Sequence, residues 1–153
     1  MKSVLLLVLP WLISCEIINV TPAPYLVTQV SVITGGGDDY RLGAVEVILL
    51  NRAEKEILSL ELEFDLYDTS GLAQPRIGEN RVKARLLESI PSGAEISLRI
   101  VLDSLFSLPP PDTLTLTRFC ITGIGYIDGS VWTDRLKQNL IMEDRVTVIC
   151  HRQ

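Results

Sequence analysis

"ILSLELEFDLY", residues 57–67, decides the fold. Leu58, Leu60, Leu62, Phe64 and Leu66 alternate with Ser59, Glu61, Glu63, Asp65 and Tyr67. A period of two sends successive side chains to opposite faces of a strand, so this stretch has one apolar face and one polar face. A helix would scatter Leu58, Leu60 and Leu62 around its axis. Leu and Glu favour helices in isolation, but here the alternation outweighs that preference. The expectation is a strand with a core face and a wet face, ended by the turn residues of "DTSG", 68–71.

The same reading extends in both directions. Upstream, Leu26 to Ile33 forms a first strand, "TGGGDDYRLG" (34–43) a flexible loop, and Val45 to Leu50 a strand apolar on both faces, as a fully covered central strand requires. Downstream, Val82, Ala84 and Leu86 alternate with Arg81, Lys83 and Arg85. "PSGAE" (91–95) turns the chain into an inward row of Ile96, Leu98, Ile100 and Leu102. "LPPP" (108–111) forbids regular structure and marks a crossing between sheets. Leu114 to Ile127 is a long strand whose apolar phase slips near Arg118. A bulge there reconciles Leu114 and Leu116 with Phe119 and Ile121. Asp128-Gly129 is a two-residue hairpin turn. Residues 134–144 suit a short amphipathic helix through Leu136, Leu140 and Ile141, and Val146, Val148 and Cys150 a last strand or packed tail. Strands at this spacing predict an all-β, antiparallel β-sandwich of about seven strands.

The start of the chain carries an address. Lys2 precedes an apolar run from Val4 to Ile13, interrupted only by Pro10. The run is too short to span a bilayer, which takes roughly 20 helical residues, and it fits the hydrophobic region of a signal peptide. It ends Leu12-Ile13-Ser14-Cys15, which resembles the lipobox of bacterial lipoproteins. The resemblance implies a diacylglyceryl thioether on Cys15, cleavage before it, and acylation of the new amine. Each buried methylene contributes about 0.8 kcal/mol, so two or three chains anchor stably. Glu16, not Asp, follows the cysteine, which implies export to the outer membrane over retention in the inner one. The resulting divisions are a signal peptide at 1–14, a lipidated tether at 15–26, a sandwich at 27–134 and a C-terminal tail packed on it at 135–153. "NVTPAPY" (19–25) makes the tether extended; its Asn19-Val20-Thr21 is a chance sequon in such a protein.

Charge narrows the partners. The formal net charge is −5, which repels phosphate backbones and argues against nucleic acid. It also disfavours lying flat on anionic lipid, leaving the lipid alone to hold the domain. With Cys15 acylated, Cys120 and Cys150 remain as either a disulfide in an oxidising compartment or two free thiols.

"FDLYD" (64–68) resembles the motif that names the FxLYD domain: Phe64, any residue, Leu66, Tyr67, Asp68. Asn51 at the end of the preceding strand and the "PSGAEISLRIVL" stretch (91–102) resemble further parts of that family's pattern. Ser92, the polyproline crossing and the tail beyond Trp132 depart from it. The resemblance covers roughly residues 27–127. It implies an immunoglobulin-like or fibronectin-like sandwich of prokaryotic surface proteins, with no activity attached.

Chemical constellations are sparse. The only histidine, His151, is the third residue from the end and is no held catalytic base. Zinc held by Cys120, Cys150 and His151 would need adjacent residues to converge on one ion. Gly35-Gly36-Gly37 lacks the Lys-Ser/Thr of a phosphate loop. Asp38 and Asp39 are weak calcium candidates without an ordered ligand series. Glu61, Glu63 and Asp65 read as a solvated stripe opposite Arg81, Lys83 and Arg85, worth a few tenths to about 1 kcal/mol per pair. No cofactor is implied. Tyr67 and Trp132 are the candidate contact surface, although Tyr67 is more simply a structural cover for a strand edge and Trp132, just past a hairpin turn, a core residue. The expected function is a lipid-anchored, non-catalytic envelope lipoprotein that binds or scaffolds another envelope protein. The alternative is a module for a small-molecule, glycan or calcium-dependent ligand, using the 34–43 loop and the hairpin at 128–129.

Overall fold

A computed structural model describes residues 22–67, 80–106, 114–142 and 146–150. The lipobox, the Asp68–Gly71 turn, the 108–111 crossing and His151 lie outside the described residues. The described residues form eight strands: β1 (Tyr25–Thr34), β2 (Gly43–Asn51), β3 (Ile57–Tyr67), β4 (Arg81–Ile90), β5 (Glu95–Val101), β6 (Thr115–Tyr126), β7 (Val131–Thr133) and β8 (Val146–Cys150). One sheet has the order β5-β2-β1-β8 and the other β4-β3-β6-β7. This is an immunoglobulin/fibronectin-like sandwich: hairpins stay within a sheet, and the β2–β3, β4–β5, β5–β6 and β7–β8 connections cross between sheets. Every pairing is antiparallel except β1–β8, which is parallel and matches Val30 with Val146 and Thr34 with Cys150. The last apolar stretch is therefore an integral edge strand of the first sheet.

The core forms where the inner faces meet. Val45, Val47 and Leu49 of β2 oppose Leu60, Phe64 and Leu66 of β3, all at most 1% exposed. Phe64 stacks on Phe119 with centroids 6.2 Å apart. Three details differ from the simple alternation. Ile57, and not Leu58, is buried, because Leu58 is an extra residue where Ile57 and Ser59 face Tyr126 and Gly125. β2 is central, yet Ile48 and Leu50 on its outer face are only half-buried. The predicted bulge at Arg118 is present, with Asp65 opposite Thr117 and Glu63 opposite Cys120. Arg118 takes φ 55°, and a second extra residue, Thr122, resets the phase again before Ile124.

Residues 134–142 form turns and not a helix. The Asp134 carboxylate accepts from the Gln138 and Asn139 amides, both at 3.0 Å, and Lys137 takes φ 50°, which a helix does not permit. Ile141 then pairs with Phe119, whose edge is free because β7 covers only Gly123–Gly125. Side chain-to-backbone bonding thus wins over helix periodicity, as Asp and Asn near turns favour.

Asn51 holds the end of the sandwich at which β1 begins. It is fully buried. Its Nδ2 donates to the carbonyls of Lys55 (2.8 Å), Ile90 (2.9 Å) and Pro91 (3.2 Å), and its Oδ1 accepts from the Ala53 amide (2.9 Å). One side chain thereby satisfies the β2–β3 loop and the β4–β5 turn, with two hydrogens shared among three carbonyls. Asn51→Ala orphans these groups and is expected to destabilise the fold by about 3 kcal/mol, measured by urea unfolding.

Candidate functional site

The polar face of β3 meets β4 in register: Glu61 faces Arg85, Glu63 faces Lys83 and Asp65 faces Arg81. Part of the stripe is wet as expected, since Glu61 is exposed, but Glu63 and Asp65 are not. Glu63 is 9% exposed and Asp65 3%. Arg81 Nε lies 3.0 Å from Asp65 Oδ1 and 3.1 Å from Glu63 Oε1, Lys137 Nζ lies 2.6 Å from Glu63 Oε1, and Arg118 Nε lies 3.8 Å from Asp65 Oδ2. Three cations from three segments close over two carboxylates. The hydrogen bond to Asp65 holds the Arg81 guanidinium above its ordinary value. Arg118 reaches the site from the β6 bulge and Lys137 from the 134–142 turns. The sequence signal for Arg118 was its break in apolar phase; nothing local marked Lys137.

Cys120 faces Glu63 across the ladder and is a free, buried thiol. Burial pushes the thiol up, with Lys137 working against that. Cys150 closes β8 in the opposite sheet, next to Thr34, and its side chain lies outside the described residues.

Tyr67 and Trp132 do not share a surface. Trp132 pairs with Ile124 and points inward, where it meets Tyr25 edge-on at 5.6 Å. Tyr67 pairs with Thr115 at the other end of β3 and is half-buried on the outer face. Seven residues of strand separate the pair positions, about 23 Å. Phe64 and Leu66 of the FDLYD stretch are fully buried; Asp68 and Cys15, the residue expected to be acylated, lie outside the described residues.

The 34–43 loop is fastened. Gly35 donates to Leu42 and Gly37 to Tyr40, at 3.2 and 2.8 Å. The Asp103 carboxylate accepts from the Arg41 and Leu42 amides at 2.8 Å each, and these donors draw its pKa down. Tyr40 is buried and lies against Gly37, where any Cβ would stand 2.5 Å from its ring. Asp39 pairs with Arg99 at 3.0 Å, so the carboxylate offered for calcium already has a cation, while Asp38 is exposed. Among the described residues no three His, Cys, Asp or Glu side chains are grouped to hold a metal ion.

A groove of about 420 Å³ runs beside β1, lined by Tyr25, Leu26, Val27, Gln29, Leu140 and Ile141 among others. β8 covers β1 only from Val30 to Thr34. Among the described residues no strand pairs with the 25–29 edge on that side. The register of β1 against β2 shifts between Val27 and Gln29. Leu26 and Leu140 are each 37% exposed at the rim. In the wall, the Tyr25 hydroxyl is buried without a hydrogen-bond partner, and burial, reinforced by Asp134 and Cys120, raises its pKa. Sequence reasoning missed this groove, because it arises from where β8 starts and where Ile141 attaches.

No family model matches the sequence, and no curated protein matches it. A solved structure is similar: a hypothetical protein from Peptoclostridium difficile 630, determined by X-ray at 1.85 Å. It is 12% identical, with a TM-score of 0.54, over 78% of this chain and 90% of that one. The likeness is one of fold.

Two expectations follow. Cys120 should resist iodoacetamide in the folded protein and react once urea unfolds it, read as the mass of the peptide that contains it. Burial works to raise the Asp134 carboxyl, but donation from the Gln138, Asn139 and Lys137 amides outweighs it and lowers the pKa. The stability this contributes is complete above the unfolded value of about 3.9 and is lost as pH falls through the lowered folded value. Asp134→Asn should therefore unfold more easily than wild type near neutrality, and the gap should narrow in urea titrations carried below that value.

Proposed function

We propose that this chain is a lipid-anchored, non-catalytic FxLYD-like lipoprotein of the bacterial envelope that binds another envelope protein along the free edge of β1. The observation that carries the reading is the groove beside residues 25–29. An uncovered strand edge offers backbone donors and acceptors to an extended segment, and flanking apolar side chains supply pockets for alternate residues. Leu26 and Leu140 stand at those positions. The register shift against β2 near Thr28 bends β1 there, which discourages a long stack of added strands.

The anchor reading is supported by Leu12-Ile13-Ser14-Cys15, and the outer membrane is favoured by Glu16. The non-catalytic reading is supported by the occupation of Glu63 and Asp65 by Arg81, Arg118 and Lys137. A proton-transfer group has to be open to its substrate, and these two face cations instead.

A photo-crosslinking amino acid placed at Leu140 in intact cells should capture one reproducible envelope protein, while one at exposed Lys83 should not. Leu26→Asp should lower that capture about tenfold or more at an unchanged melting temperature, since one apolar anchor and its pocket are lost. Absence of any protein adduct at Leu140 would sink the reading.

A further inference from the structure

Four large apolar side chains stand exposed on one corner of the second sheet: Leu87 (74%), Val131 (69%), Ile127 (59%) and Leu58 (40%). The ladder explains why they lie together. Leu87 pairs with Ser59, Ser59 with Gly125 and Gly125 with Val131, so one transverse row crosses all four strands on the outer face. At about 4.8 Å per strand, Leu87 and Val131 stand roughly 15 Å apart. Between them lie Ser59 and Gly125. A Cβ on Gly125 would fall 2.5 Å from Ser59 Oγ, so this floor is kept bare. Leu58 is the extra residue beside Ser59, and Ile127 begins the adjoining turn, its amide donating to the Glu56 carbonyl. Single exposed apolar residues are ordinary, whereas four gathered on one corner around a bare Ser59–Gly125 floor mark a contact surface.

The chain's own layout says what covers it. Tyr25 pairs with Asn51, and the Arg52 amide donates to Pro24, so β1 starts beside the same 52–56 loop that holds Ile127. Cys15 lies seven residues before Pro22. Even fully extended, seven residues span about 25 Å. If Cys15 carries acyl chains, the start of β1, at the same end of the sandwich as this corner, stays within about that distance of the bilayer. Roughly 30 Å away, by strand length, the opposite end carries Asp38, Asp39, Arg41 and Asp103. The corner also bears both charge signs: Lys55 is tied to Asp128 beside Ile127, with Arg52 and Glu54 exposed nearby. Glu56, two residues before Leu58, and exposed Glu88, next to Leu87, add to the acids, so the corner suits an uncharged lipid surface and not an anionic one.

We propose that the corner formed by Leu58, Leu87, Ile127 and Val131 rests in the interfacial layer of the bilayer that holds Cys15. The contact sets the tilt of the sandwich and turns the β1 groove and the charged loops to fixed heights above the membrane. The proposal rests on the lipid-anchor reading. The acyl chains hold the protein, and the corner orients it.

The test uses full-length, processed protein reconstituted in neutral phosphatidylcholine vesicles. An environment-sensitive fluorescent amino acid replaces Ile127 in one preparation and Asp38 in another, and nitroxide-bearing lipid is the quencher. The expected result is loss of about half or more of the emission at 127 and none at 38, because an interfacial contact reaches only about 5–10 Å into the layer. Leu87→Asp with Val131→Asp should abolish the quenching at 127, while vesicle flotation and melting temperature stay the same. Flotation with acyl chains on Cys15, but no quenching at 127 or equal quenching at both positions, overturns this proposal and leaves the anchor standing. An unmodified Cys15 mass without flotation overturns both. Photo-crosslinking from Ile127 to a protein instead of lipid in cells also overturns it, and assigns the corner to that protein.

Discussion

Two carboxylates, Glu63 and Asp65, are buried on the outer face of β3, and a buried charge has to be paired. That requirement reaches through the second sheet. It sets β4 so that Arg81 lies beside both carboxylates. It gives a role to the bulge in β6, where Arg118 sits with φ 55°, a conformation that disfavours any residue but glycine. It draws in Lys137 from the turns after β7. A slip of one residue between β3 and β4 would present Val82 or Ala84 to the acids and turn Phe64 outward. The hydrophobic core excludes such a slip from the inside, and the ion network excludes it from the outside.

Asn51 has the matching role at the other end of β3. The core supplies the bulk of the driving force, but it is non-directional and does not choose loop conformations. A carboxamide with donors and acceptor all engaged does choose them. Because it joins the 52–56 loop to the β4–β5 turn, it also fixes the platform beside which β1 starts and Ile127 is displayed. The groove and the apolar corner thus belong to one rigid end of the molecule. Function is proposed there, on edges and turns of a scaffold whose interior is fully committed to packing.

Most of the architecture was legible in the sequence. The alternation of 57–67 placed β3, the arginine and lysine alternation of 81–86 placed its partner, and the proposed facing of acids and bases holds residue by residue. The phase break at Arg118 announced a real bulge. The failures share a cause. Leu58 was assigned inward because a bulge beside it leaves no mark in a two-residue period. Residues 134–144 suggested a helix because Leu136, Leu140 and Ile141 have helical spacing; the competing bonds of Asp134 and the free edge at Phe119 belong to the fold. Trp132 has two readings in the sequence, a core residue just past a hairpin turn or a contact beside Tyr67, and strand register decides for the first by turning it inward against Tyr25.

The sequence by itself determined which segments are strands, which faces are apolar, and that the chain makes a two-layer sandwich, because period and turn chemistry are local properties. The tertiary structure decided what lies next to what. It buried Glu63 and Asp65 of the acidic stripe in an ion network, left Cys120 a free thiol, paired β8 parallel to β1, opened a groove beside residues 25–29, and gathered four apolar side chains onto one corner. Each of these depends on where distant strands begin, end and bulge against one another. That information is carried by the summed packing of the whole chain and by no short stretch of it.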